Sequence, residues 1–160
     1  MDVLNIDFKG YRLDADVRTL SNVSGIYIVY RCLYDSIKNI VDIKELLYIG
    51  QTYNLRDNLM NHDKKLRWLK ECSEKETLCY AYAEVEKDKL DRVENGLIFM
   101  QKPRMNEILT DSYNYEIPVG FKITGNSDLF MQKNFKIIQK DTKAWFFMKF
   151  SIFKVKIKKF

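Results

Sequence analysis

Two apolar, β-branched runs separated by turn chemistry constrain this chain most. They are Ser24-Gly25-Ile26-Tyr27-Ile28-Val29-Tyr30 and Leu46-Leu47-Tyr48-Ile49-Gly50. Runs rich in Ile, Val, Leu and Tyr read as strands, placed at about 25–34 and 45–51. The intervening Asp35-Ser36-Ile37-Lys38-Asn39 has turn residues. The pair is therefore expected to form an antiparallel hairpin with a long loop. The stretch Tyr34–Glu45 reads as an insertion, either a ligand-contacting loop or tolerated surface. In such a hairpin the hydroxyls of Tyr27 and Tyr48 can lie close together on one face.

The rest of the chain supplies elements to pack against that hairpin. Asn54 is a good helix N-cap, and Leu55, Leu59, Leu66 and Leu69 recur at helical spacing, predicting a helix to about Cys72. Residues 78–86 read as a third strand. A second helix is expected from about Asp88 to Gln101, with Leu90, Val93, Leu97 and Ile98 inward and Pro103 stopping it. Residues 1–22 read as an N-terminal extension with a short strand near Val3–Ile6. Short strands return beyond Pro118, and the Lys/apolar alternation of 150–158 suits an edge strand. The order β-β-α-β-α excludes an ordinary βαβ opening. The expected fold class is α+β: a small central antiparallel sheet of three strands flanked by helices, with extra C-terminal strands.

Length and charge bound the function classes. A chain of 160 residues is expected to be one domain with a real core. Its net charge of +5 is uneven: residues 133–160 hold nine Lys against one Asp, and residues 1–132 hold 18 basic against 21 acidic side chains. Such a basic end suits phosphate neutralisation; it equally suits a solvated edge that resists aggregation. Cys32, Cys72 and Cys79 show no CxxC pairing, which signals neither a zinc site nor a disulfide framework. With no secretory h-region near the start and no run of about 18 apolar residues, a cytoplasmic protein without membrane contact is expected.

Few residues carry candidate chemistry. A phenol has an ordinary pKa near 10 and acts as a base only beside positive charge or through a hydrogen-bonded relay. Tyr27 and Tyr48 also fit as half-buried strand tyrosines. His62, the sole histidine, falls in the leucine stripe, where a hydrogen-bonded core histidine is the ordinary finding. Glu94 lies beside Val93 and one turn from Leu90, Leu97 and Ile98, at the edge of the apolar face. A carboxylate there needs a partner or a cation, and a single carboxylate suits Mg²⁺; an exposed Glu in a charged helix is the alternative.

Taken together, Tyr27, Tyr48, His62, Glu94, Leu97-Ile98, Lys102-Pro103 and Asn106 resemble the pattern of the GIY-YIG nuclease family over residues 24–106. That resemblance implies a nuclease core at 24–106 followed by a basic, aromatic extension at 107–160. It implies a metal-dependent DNA endonuclease in which Tyr27 and Tyr48 activate water and position the phosphate. In the same reading His62 assists, Glu94 binds Mg²⁺ (or Mn²⁺) and Asn106 orders the site. Lys102, Arg104, Lys154, Lys156 and Lys158 are the expected nucleic-acid contacts. DNA is the implied partner, and a homodimer cutting both strands is the family habit.

One position departs from the pattern. The family places a phosphate-stabilising Arg four residues before the His; this chain has Asn58 there. Arg56 is two residues away, a rotation of about 200° on a helix. Asparagine has neither charge nor a bidentate fork, and loss of such a donor costs about 10²–10³ in rate. Three explanations stand at this level. Asn58 is an introduced inactivating substitution, or the chain binds nucleic acid without cutting, or another Lys or Arg, such as Arg104 or one from the tail, supplies the charge.

Overall fold

In a computed structural model, residues 1–138 are described, and they form a six-stranded mixed sheet with helical segments on both faces. The strands are β1 (Asp2–Leu13), β2 (Gly25–Asp35), β3 (Ile40–Thr52), β4 (Glu76–Glu84), β5 (Val119–Gly125) and β6 (Asn134–Ile137); the α-helices are α1 (Leu55–Met60), α2 (Lys65–Leu69) and α3 (Leu90–Gln101). Spatial order is β3-β2-β4-β1-β5-β6. Among these contacts β1 and β5 run parallel, and the remaining neighbours are antiparallel.

This corrects the three-strand expectation. β3, β2 and β4 do lie side by side, but β1 continues the sheet by pairing with β4 on one side and with β5 on the other. The segment read as an extension is thus an internal strand. Its Ile6 and Phe8 alternate inward while Asp7 and Lys9 face water. The local alternation is visible in the sequence; the parallel partner lies more than a hundred residues away and has no local signal.

The period-two pattern of β2 loads both faces. Ile26, Ile28, Tyr30 and Cys32 join one core with Leu90, Val93, Leu97 and Ile98 of α3 and with Phe121 and Phe135 of the C-terminal strands. Tyr27 and Val29 join the other with Leu47, Leu55, Leu59, Trp68 and Tyr80. A helix-period stripe therefore covers one face, while two short helices cover the other.

Two further expectations change. The hairpin loop is short, because Asp35 pairs with Ile40 across residues 36–39. The Asp35 side chain accepts the Ile37 and Lys38 amides at 3.0 and 3.1 Å, an Asx turn. The insertion lengthens the hairpin as paired strand, with register shifts near Val29/Tyr30 and Arg31/Cys32. The first helix is broken: α1 ends at Met60 and α2 restarts at Lys65. Asn61-His62-Asp63 are poor helix formers, and the break resets the helical phase. Trp68 is buried, while Leu66 (73% exposed) and Leu69 leave the expected stripe. The Asn54 side chain makes no capping hydrogen bond; its own amide donates to Thr52 Oγ1 at 3.1 Å.

The second helix ends as expected. Lys102 takes a left-handed conformation (φ 48°) before Pro103. No helix among the described residues is long and apolar enough to cross a membrane. The edge strand expected at 150–158 lies outside the described residues.

Because β1 is internal, Phe8→Ala should cost about 3–5 kcal/mol of stability. Urea unfolding would measure it, and an unchanged midpoint would return β1 to the status of an appendage.

Candidate functional site

The site begins with the register of the hairpin. Tyr27 pairs with Gly50 and Val29 with Tyr48, so the two tyrosines are diagonal neighbours on one face. Their rings are 6.3 Å apart and inclined by 27°. A Cβ at Gly50 would lie 2.5 Å from Tyr27 Cζ and 2.9 Å from Tyr48 Cε1. Glycine there gives the Tyr27 ring its place across the neighbouring strand.

The ring of His62 stands edge-on to Tyr27 and packs on Trp68 at 4.3 Å between centroids. Its Nε2 is 2.7 Å from Tyr27 Oη. Its Nδ1 accepts the backbone N–H of Lys64 at 3.1 Å. The Asp63 carboxylate is also 3.1 Å from Nδ1, but it is 86% exposed and solvated. Burial holds the imidazole pKa below its ordinary value of 6.5, so the neutral ring prevails at pH 7. With the Nδ1 lone pair taken by an amide, the ring proton sits on Nε2 and is donated to Tyr27 Oη.

That assignment limits what Tyr27 can do. Burial first, then the neighbouring Tyr48 and Glu94, raises its pKa far above 10.0. It is a phenol at neutral pH, held from behind by His62, with its own O–H free to donate. Its geometry suits orienting a water or a phosphate oxygen more than abstracting a proton.

The third part lies where the sheet edge meets α3. A cavity of about 120 Å³ is lined by Tyr48, Lys64, Glu94, Ile98, Asn106 and the following residues 107–109. Glu94 is half-buried, and burial raises its carboxyl pKa above 4.5; the Gln51 hydrogen bonds oppose the shift and Asp91 adds to it. Gln51 Nε2 donates to both carboxylates, at 2.5 Å to Asp91 and 3.1 Å to Glu94. Two carboxylates one helical turn apart, with one reluctant to ionise, fit a divalent cation. Mg²⁺ needs only one or two carboxylates and keeps several waters. Among the described residues no cluster of three or more His, Cys, Asp or Glu is gathered.

Lys64 escaped the sequence reading. Its Nζ donates to Tyr48 Oη at 3.3 Å and stands 4.8 Å from the centre of the Tyr48 ring. On an unbroken helix, residues 62 and 64 would point about 200° apart. The break between α1 and α2 turns both toward the tyrosines. The only available sequence signal was the helix-poor triplet before it.

The other expected residues have different places. Asn106 borders the cavity, yet its amide is consumed by Ile49, accepting from the Ile49 N–H at 3.0 Å and donating to its carbonyl at 2.8 Å. It acts as a short strand on the outer edge of β3, the end of the sheet among the described residues, together with the Met105 amide on Leu47 O at 2.9 Å. Asn58 has a buried Oδ1 without a hydrogen-bond partner among the described residues; it brings an acceptor, not a cation. Arg56 pairs with Asp57 at 3.2 Å. Arg104 is held by Glu45 at 2.6 Å and Glu71 at 2.7 Å, and the Lys102 ammonium donates to the Thr110 carbonyl. Lys154, Lys156 and Lys158 lie outside the described residues.

The raised pKa of Glu94 has a definite sign. The folded state holds this proton more tightly than the unfolded chain, so the associated stability is present below pH 4.5 and lost as pH rises through the folded pKa. Glu94→Gln should therefore raise the thermal midpoint at pH 7 and leave it nearly unchanged at pH 4. Mg²⁺ should raise the midpoint of the unaltered protein and not of the variant. A variant that melts lower at pH 7, or that responds equally to Mg²⁺, contradicts this account.

Compared with models of known families, with curated proteins and with solved structures, the chain matches none.

Proposed function

We propose that this protein is a metal-dependent endonuclease of GIY-YIG type that hydrolyses DNA phosphodiester bonds. The observation that carries the reading is the convergence of Tyr48, Lys64 and Glu94 on one cavity, beside a Tyr27 hydroxyl held by His62 at 2.7 Å. Hydrolysis of a phosphodiester joins a water oxygen to phosphorus as one P–O ester bond breaks, giving a phosphomonoester and an alcohol. That reaction asks for an oriented water, a cation on the phosphate and a stabilised leaving oxygen.

The oriented water and the cation on the phosphate each have residues. The hydroxyls of Tyr27 and Tyr48 orient the attacking water or a phosphate oxygen, and His62 fixes the Tyr27 hydroxyl in place. Glu94, with Asp91 one turn earlier, would hold Mg²⁺ or Mn²⁺; such an ion acidifies water and polarises a phosphoryl oxygen. Trp68, Leu55 and Leu59 shield the back of the tyrosine pair from solvent. Asn106 keeps β3 in position without touching substrate. Cutting both strands of a duplex favours a homodimer, and the free thiols favour the cytoplasm.

The rival reading is a non-catalytic nucleic-acid-binding protein on the same scaffold, and Asn58 in place of a cation is the observation that favours it. Plasmid nicking separates the two. The unaltered protein should nick supercoiled DNA in Mg²⁺ and not in EDTA, and Glu94→Gln should reduce the rate by about 10²-fold or more. Salt-sensitive DNA binding with no cutting by either the protein or its Asn58→Arg variant would establish the rival.

A further inference from the structure

We infer that Lys64 is the cation that binds the scissile phosphate, doing the work for which Asn58 has no charge. The inference rests on the nuclease reading above and names the residue that makes it workable. Charge accumulates on the non-bridging phosphate oxygens as phosphoryl transfer proceeds, and a preorganised cation is the ordinary answer.

Elimination narrows the choice. Arg56 and Arg104 are neutralised by their own carboxylate partners. Lys65, the next residue, pairs with Asp14 at 2.9 Å, and Arg67 pairs with Glu107 at 2.7 Å. Lys64 differs from all four. Among the described residues its ammonium meets the Tyr48 hydroxyl at 3.3 Å and the Tyr48 ring face, with no carboxylate at ion-pair distance. It also borders the same cavity as Glu94. A phenol holds an ammonium in direction without cancelling its charge, which leaves two donors for an anion.

Position adds a second argument. The backbone N–H of Lys64 fixes His62 while its side chain reaches Tyr48, so one residue ties both tyrosines to a common frame. A phosphate oxygen entering the cavity would take one of the two remaining ammonium donors, forming a hydrogen bond between opposite charges while the Tyr48 contact persists. Lys64 forms and breaks no covalent bond in the reaction. As a point charge it lacks the fork of an arginine, but it lines the same cavity as Glu94.

Nicking kinetics in Mg²⁺ test this with Lys64→Met, Lys64→Arg and the double variant Lys64→Met/Asn58→Arg, each checked for an unchanged thermal midpoint. Lys64→Met should lose about 10²–10³ in kcat with a small change in KM. Lys64→Arg should retain most of the rate, and Asn58→Arg should restore much of what Lys64→Met removes. If Lys64→Met cuts as well as the unaltered protein, the assignment fails while the nuclease reading stands. An inert unaltered protein that gains cutting only with Asn58→Arg has the same meaning. If every form is inert in both Mg²⁺ and Mn²⁺, the nuclease reading itself is overturned, and this inference with it.

Discussion

The contact between the Tyr27 ring and the vacant side-chain position of Gly50 is the one on which the site depends. Antiparallel pairing sets these two residues opposite each other, and only a residue without a Cβ leaves room for the ring. With the ring lying there, its hydroxyl reaches His62, and Tyr48 falls in beside it. A slip of one residue in this register would send Tyr27 to the α3 face and Ile26 to the tyrosine face. The buried load on both faces of β2 makes that slip costly, since it would exchange Ile26, Ile28 and Tyr30 for Tyr27 and Val29. The placement of the tyrosine pair is thus anchored in strand register.

The interruption between α1 and α2 is the second constraint. It spends helical hydrogen bonding at Asn61–Lys64 and recovers part of it locally, through the Lys64 amide on His62 Nδ1 and the Lys65 amide on His62 O at 3.1 Å. In return two side chains that a continuous helix would separate point into one region. The histidine is held neutral by burial, and the lysine lines the same cavity as Glu94 of α3. A half-buried acid and an ammonium without a carboxylate at ion-pair distance among the described residues line one small cavity, a pair that an anionic substrate and a divalent cation would complete together.

The outer edge of β3, the end of the sheet among the described residues, is met by Asn106. An exposed edge strand invites pairing with other chains. Here a side-chain amide imitates a backbone partner for Ile49, and Met105 caps Leu47. This anchors the segment after α3 against the strand carrying Tyr48, so the cavity has a fixed wall. The family resemblance gives Asn106 the role of ordering the site; the geometry locates that effect in the backbone of β3, one residue from Tyr48.

Local chemistry sufficed for the hairpin, the third strand and α3, because each is written in periodicity, turn residues and a terminating proline within a dozen positions. It also named Tyr27, Tyr48, His62 and Glu94 from their side-chain types, and the structure brings Tyr27, Tyr48 and His62 together, with Tyr48 and Glu94 on one cavity. It did not reveal that residues 2–13 form an internal strand, because the partner of β1 is β5, and pairing across such a separation has no local signature. Nor did it reveal Lys64, whose direction depends on a helix break stabilised by Trp68 packing on His62 and by a backbone amide. Sequence alone determined which functional groups this protein has. Tertiary structure decided which of them meet, because contacts between distant segments, and the burial they create, set both the direction of each side chain and the charge it can hold.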